Sequence, residues 1–208
     1  MQRIILPPSR EEFKTCLESK HFYPEAVDMT MLAWDWCGEW HAGQPREDGS
    51  EYCDHPRAAA WILLQETAVT DPETITLACL HDVGEVRHRT PPTHAEICRA
   101  FSYRIAYKLE ALTKYPGQDV LEYTHQVFAG GTKVLIAKFA DRLHNLRTLS
   151  ACSRDKQDRV MSDTWVYYYP DAGIYQDFFP TMSPKDGKII SRLWGLMEEA
   201  MNELQATR

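Results

Sequence analysis

No stretch of this chain comes near the roughly 20 consecutive apolar residues that a membrane-spanning helix needs. The apolar run at Ile4, Ile5 and Leu6 is too short for a signal peptide. No membrane partner is expected. Positive charge is the minority sign: Lys and Arg number 23 against 30 Asp and Glu, for a net charge of −7. Nucleic acid, which wants a basic face, is excluded as a general partner. A phosphorylated ligand must then be drawn in locally, by a metal and by particular Arg and Lys residues. The six cysteines, Cys16, Cys37, Cys53, Cys79, Cys98 and Cys152, include no Cys-x-x-Cys spacing, which removes the usual thiolate zinc sites. Cys79 and Cys98 fall in apolar helical runs and read as buried thiols. That pattern belongs to a reducing, cytoplasmic setting. Glycine-rich phosphate loops, internal repeats, low-complexity tracts and strand-like alternation are also missing. The expected fold class is all-α.

What is present is enough for one well-packed domain: 208 residues, 44% hydrophobic and 25% charged. Ser9 with Glu11 and Glu12 starts a helix that runs to about Ser19. Val27, Met31, Trp34, Cys37 and His41 keep helical spacing between Pro24 and Gly43. Trp34, Trp36 and Trp40 cannot all face one way, so Trp36 is expected to be partly exposed or to cover a neighbour. A loop follows to Asp54, then a helix from His55 to Thr67. Thr70-Asp71-Pro72-Glu73 signals another helix start. Thr93 and Glu96 form a capping box for one helix carrying Ile97, Phe101, Ile105 and Leu109. Helices are also expected over Val120–Phe128, Val134–Thr148 and Asp158–Tyr169. Ser183-Pro184-Lys185-Asp186 starts the last one, with Leu193, Leu196, Met197 and Leu204 inward. That helix can close the domain or pair with a second copy in a homodimer. The expected division is an N-terminal extension (1–22), a main domain (23–180) and a C-terminal helix on the same domain (181–208).

The chemistry concentrates in Leu80-His81-Asp82-Val83-Gly84-Glu85. An unpaired buried carboxylate is too costly, so a His-Asp pair closing an apolar helix points to a metal. His55 precedes a Pro well suited to a first helical turn, and so projects from a fixed point. Asp141 lies at the edge of the stripe formed by Leu135, Phe139, Leu143 and Leu146, and shares a face with Asn145. The candidate metal ligands are His55, His81, Asp82 and Asp141, a mixed imidazole and carboxylate set suited to Mn²⁺, Fe²⁺ or Zn²⁺. His144 points in another direction and is not counted among them. Glu85, one turn beyond Asp82, can take a proton from an attacking water; a solvent-facing turn residue is the plainer alternative. Arg46 offers a planar cation for a base or phosphate, or is simply a solvated loop residue. Arg87-His88-Arg89 is a basic cluster that fits a diphosphate or a solvated loop equally well.

The order His…His-Asp…Asp resembles that of HD-type phosphohydrolases. His41-Ala42-Gly43-Gln44-Pro45-Arg46, Tyr52, His55-Pro56, Leu80-His81-Asp82-Val83, Ala111-Leu112-Thr113-Lys114 and Lys138-Phe139-Ala140-Asp141-Arg142-Leu143-His144-Asn145 narrow it. From about Met31 to about Tyr175 the chain is similar to the hydrolase domain of the RelA/SpoT family, in its stand-alone form, the small alarmone hydrolases. The resemblance implies an HD helical bundle with a single Mn²⁺, Zn²⁺ or Fe²⁺ being alternatives. It implies Glu85 and Asp82 as catalytic residues and Arg46, Asn145 and Thr148 around a nucleotide, with Tyr168 flanking it. The implied reaction removes the 3′-diphosphate of ppGpp or ppApp as pyrophosphate, leaving GDP or GTP, or ADP or ATP. Two departures stand out. Glu47 and Asp48 follow Arg46 where the family is usually basic, and Val86 replaces the second acid of the family's Glu-Asp pair. They leave room for a general HD nucleotidase on other phosphorylated nucleotides, or for a non-catalytic nucleotide-binding or antitoxin-like protein.

Overall fold

Polar caps set where the helices begin. Ser9, Asp71, Thr93, Ser102, Asp119, Ser153 and Ser183 each accept the exposed backbone N–H three residues on. In a computed structural model of the chain, which describes residues 6–47, 49–171 and 173–207, these caps open seven of ten α-helices. The helices among the described residues are α1 (Arg10–Ser19), α2 (Pro24–Trp40), α3 (Asp54–Glu66), α4 (Pro72–Leu80) and α5 (His94–Ala100). They continue with α6 (Tyr103–Leu112), α7 (Val120–Ala129), α8 (Thr132–Thr148), α9 (Arg154–Tyr168) and α10 (Pro184–Ala206). No strand occurs among these residues; the nearest thing is an isolated antiparallel bridge between Pro45 and Glu51. The all-α expectation holds. Asp48 and the apolar run at Ile4 and Ile5 lie outside the described residues.

One helix expected from the sequence is two. The Ile97-Phe101-Ile105-Leu109 spacing fits a continuous helix, yet Ser102 adopts extended backbone and its hydroxyl accepts from the Ile105 N–H at 3.2 Å. A serine that can cap a new start outcompetes the continuing ladder. The turn between α5 and α6 lets both pack on one another.

Helix α8 is the hub. It packs on α3, α4 and α10, and α4 packs in turn on α2 and α3. Val134, Leu135, Ala137, Phe139, Ala140, Leu143 and Leu146 are all fully buried along it. Gly131, at φ 86°, reverses the chain between α7 and α8 in a backbone conformation that side chains disfavour. Phe13 and Leu17 of α1, and Leu193 and Met197 of α10, enter the same apolar core as α8. Trp36 is half-buried, edge-on to Phe101 with ring centroids 5.1 Å apart, and covers the neighbouring α5. All six cysteines are free thiols; Cys37, Cys53 and Cys79 are buried, whereas Cys98 is only partly so. No described helix is long and apolar enough to cross a membrane.

Candidate metal centre and its cavity

Three helices that pack on one another, α3, α4 and α8, bring their polar residues to one point. His55 sits in the first turn of α3, His81 and Asp82 follow the last turn of α4, and Asp141 lies in the middle of α8. The Nε2 atoms of His55 and His81 are 3.2 Å apart. Asp141 Oδ1 lies 2.8 Å from the first and 3.4 Å from the second. Asp82 Oδ1 lies 3.3 Å from His81 Nε2, and Asp82 Oδ2 3.8 Å from His55 Nε2. Ligand atoms of His55, His81 and Asp82 all fall within 4.8 Å of one another. The four residues named from the sequence thus converge.

Their outer contacts test whether they suit a cation. His81 Nδ1 lies 2.8 Å from the Ala78 carbonyl, which can only accept, so Nδ1 keeps its proton and Nε2 is the nitrogen able to exchange a proton for a metal. His55 Nδ1 lies 2.8 Å from His144 Nδ1, so one donates and the other accepts. Were an ion to take His55 Nε2, His55 Nδ1 would donate and His144 Nδ1 accept, the outer support expected of a ligating histidine. Burial makes both imidazoles harder to charge, and at His55 it prevails. At His81 the Asp82 and Asp141 carboxylates outweigh burial and raise the pKa. Burial also disfavours ionised Asp141, but Lys138, whose Nζ is 2.6 Å from Oδ2, together with His81, holds it well below the usual carboxylate range. Two imidazole nitrogens and the Asp82 carboxylate within 4.8 Å of one another, with the Asp141 carboxylate against both rings, suit a divalent ion.

The centre forms part of the wall of a cavity of about 570 Å³. Arg46, from the loop before α3, and Asn145, one turn after Asp141, both line it, and Arg46 Nη2 donates to Asn145 Oδ1 at 3.4 Å. Asn145 Nδ2 in turn donates to Asp141 Oδ1 at 2.7 Å. Thr148 lines the same wall, although its hydroxyl donates back to the His144 carbonyl at 3.1 Å. Glu85 enters from the short turn Val83–Glu85, where its Oε1 accepts the Lys114 N–H at 2.7 Å. Burial first, and the Asp82 carboxylate second, push the Glu85 carboxyl up to about 7.

Tyr168 is not on the cavity wall. It is 1% exposed, lies beneath Arg142 with the guanidinium 5.0 Å from its ring, and packs edge-on against Phe139. Arg142 lines the cavity where the Tyr168 ring was expected. An aromatic on the inner face of α9 gains more from core burial than from an open wall. Glu47 accepts from Lys156 Nζ at 2.7 Å and from Cys152 Sγ at 3.0 Å, which ties the loop to α9 and offsets its charge at the cavity rim. Val86 is 4% exposed and off the cavity wall. Arg89 stacks over Trp40 at 4.1 Å and donates to the Glu39 carbonyl, so this part of the basic cluster turns toward α2. Sequence reasoning assigned no role to Lys138, His144 or Tyr52. For Lys138 the signal was available in its three-residue spacing to Asp141. For the other two it was not, because their partners lie on distant segments.

A family profile described as "HD domain" matches residues 33–170. The chain belongs to the HD domain family. Among curated relatives, "GTP pyrophosphokinase rsh" of Brucella ovis is 34% identical over 163 residues, 73% of this chain and 21% of that one. "Guanosine-3′,5′-bis(diphosphate) 3′-pyrophosphohydrolase" of Aquifex aeolicus is 31% identical over 155 residues, 71% of this chain and 22% of that one. "Bifunctional (p)ppGpp synthase/hydrolase SpoT" of Escherichia coli K12 is 33% identical over 143 residues, 62% of this chain and 19% of that one. This HD domain chain therefore spans about a fifth of the length of those relatives. A solved structure of a metazoan ortholog of SpoT, which hydrolyses ppGpp and plays a role in starvation responses, matches with a TM-score of 0.63 at 18% identity. It covers 86% of this chain and 97% of its own. That likeness is one of fold.

Proposed function

We propose that this HD domain protein hydrolyses the 3′-diphosphate of a ppGpp-type nucleotide, ppGpp or ppApp, releasing pyrophosphate. The observation that carries the reading is the convergence of His55, His81, Asp82 and Asp141 beside a cavity that also presents Arg46, Lys114 and Asn145. The names of the full-length relatives support it.

His55, His81, Asp82 and Asp141 would hold one divalent ion, Mn²⁺ by preference, with Zn²⁺ or Fe²⁺ as alternatives. When bound, such an ion lowers the pKa of water and neutralises phosphoryl charge. Glu85 takes the water proton: its carboxyl, poised near neutrality, can be ionised before the step and protonated after it. Water adds to the phosphorus beside the ribose 3′ oxygen, that P–O bond breaks, and the proton balance leaves a 3′ hydroxyl and pyrophosphate. Lys114 and Arg46 bring fixed positive charge to the phosphates or base, and Asn145 supplies amide hydrogen-bonding groups beside them. Glu47 remains engaged with Lys156 at the rim, so one lysine of the cavity is shared with a carboxylate of the chain itself.

The test is pyrophosphate release from ppGpp and from ppApp by the purified protein with Mn²⁺. Release from either, abolished by Asp82→Ala, supports the reading. No release from both, with Asp82→Ala indistinguishable from the parent, overturns it.

A further inference from the structure

Tyr52 is held on several sides. Its backbone N–H donates to the Gln44 carbonyl at 3.0 Å, closing the loop after α2. His41 stacks on its ring with centroids 4.7 Å apart and planes 25° from parallel. Gln44 Oε1 lies 2.9 Å from His41 Nδ1 and fixes that second ring in turn. The Arg46 guanidinium sits 5.9 Å from the Tyr52 ring centroid, and the His55 ring meets it edge-on at 6.4 Å. So constrained, the phenol reaches the centre, and its hydroxyl donates to Asp82 Oδ2 at 2.9 Å. A carboxylate oxygen can only accept, so the phenol is the donor in this contact.

We propose that Tyr52 is a positioning residue of the metal centre: by holding Oδ2 of Asp82 it makes Oδ1, 3.3 Å from His81 Nε2, the oxygen that Asp82 offers to a divalent ion. The inference rests on reading the four residues as metal ligands. The physical reason is preorganisation. An aspartate free to rotate can present either oxygen or both, so ordering it costs entropy when the ion enters, and a bidentate grip closes a position that water needs. A hydrogen bond made beforehand removes that freedom. Packing alone does not explain the contact, because the ring is already fixed by His41 and Gln44 without its hydroxyl.

Tyr52→Phe deletes the hydroxyl and keeps the ring. Parent and variant are stripped with a chelator, then titrated with Mn²⁺ while the spin-resonance signal of the free ion is followed. Co²⁺ is titrated separately for its visible spectrum, whose intensity reports coordination number. The expected result is a Kd for Mn²⁺ raised about 10–100-fold, with a changed Co²⁺ spectrum and an unchanged melting temperature of the metal-free protein. In turnover kcat falls while KM stays. Tyr52→Leu, which loses the ring as well, lowers that melting temperature and so marks what a packing defect looks like. Equal Mn²⁺ affinity and superimposable Co²⁺ spectra for parent and Tyr52→Phe overturn the role of Tyr52 alone. A parent protein that takes up neither ion overturns the metal reading, and this inference with it.

Discussion

Glu85 lies in the turn one step beyond Asp82, with its carboxyl raised to about 7 by burial and by its neighbour's charge. A general base works in its ionised form, so kcat/KM rises with pH through that pKa. A bound cation draws the pKa down, which puts the ascending limb at or below about pH 7. Glu85→Gln is expected to remove that limb and to lower kcat by about 10²–10⁴-fold, read from initial rates across pH 5–9. At this scale the sequence was informative wherever residue type alone set the chemistry. His81 and Asp82 adjoin each other, and a carboxylate on an apolar helix edge, as at Asp141, needs a partner wherever the helix goes. Tyr168 was not legible in this way. Three consecutive tyrosines, Tyr167, Tyr168 and Tyr169, do not declare which of them faces inward. Only the packing of α9 against Phe139 decides it.

At the scale of the helices, α4 is anchored at one end so that its other end can deliver His81 and Asp82. Glu73, in its first turn, accepts from Lys133 at 2.9 Å, from Arg104 at 3.3 Å and from Lys108. Burial raises its pKa, but the lysine hydrogen bonds outweigh that and hold it below the ordinary carboxylate value. A depressed carboxylate contributes stability that is present above its unfolded pKa, about 4.3, and is lost as pH falls through the folded value. Glu73→Gln is therefore expected to cost about 1–2 kcal/mol at pH 7. The difference from the parent should shrink in urea melts below about pH 4. Helix α8 carries a larger stake. Phe139 is fully buried between Tyr168 and Phe179, so Phe139→Ala is expected to cost about 3–5 kcal/mol by denaturant titration. Most helices could be read from caps and apolar spacing. The α5–α6 break could not, because a serine inside a well-spaced stripe stays in the helix or caps a new one according to what the next turn packs against.

For the molecule as a whole, bringing two carboxylates and two imidazoles together in a buried centre costs stability that a bound cation offsets. Mn²⁺ at 100 times its Kd is expected to stabilise the native state by about 2.7 kcal/mol, seen as a rise in melting temperature that a chelator reverses. Asp141→Asn should melt at the same temperature with and without the ion.

Composition, caps and apolar spacing by themselves determined an all-helical chain and most helix limits, and residue type singled out His55, His81, Asp82 and Asp141, which the fold brings together, because those properties depend on residue type and local periodicity. Tertiary packing alone decided that His144 backs His55, that Tyr52 grips Asp82, that Glu47 is engaged by Lys156, and that Tyr168 lies under Arg142. Each of these is a contact between distant segments, and no spacing along a chain encodes which distant partner a side chain will meet.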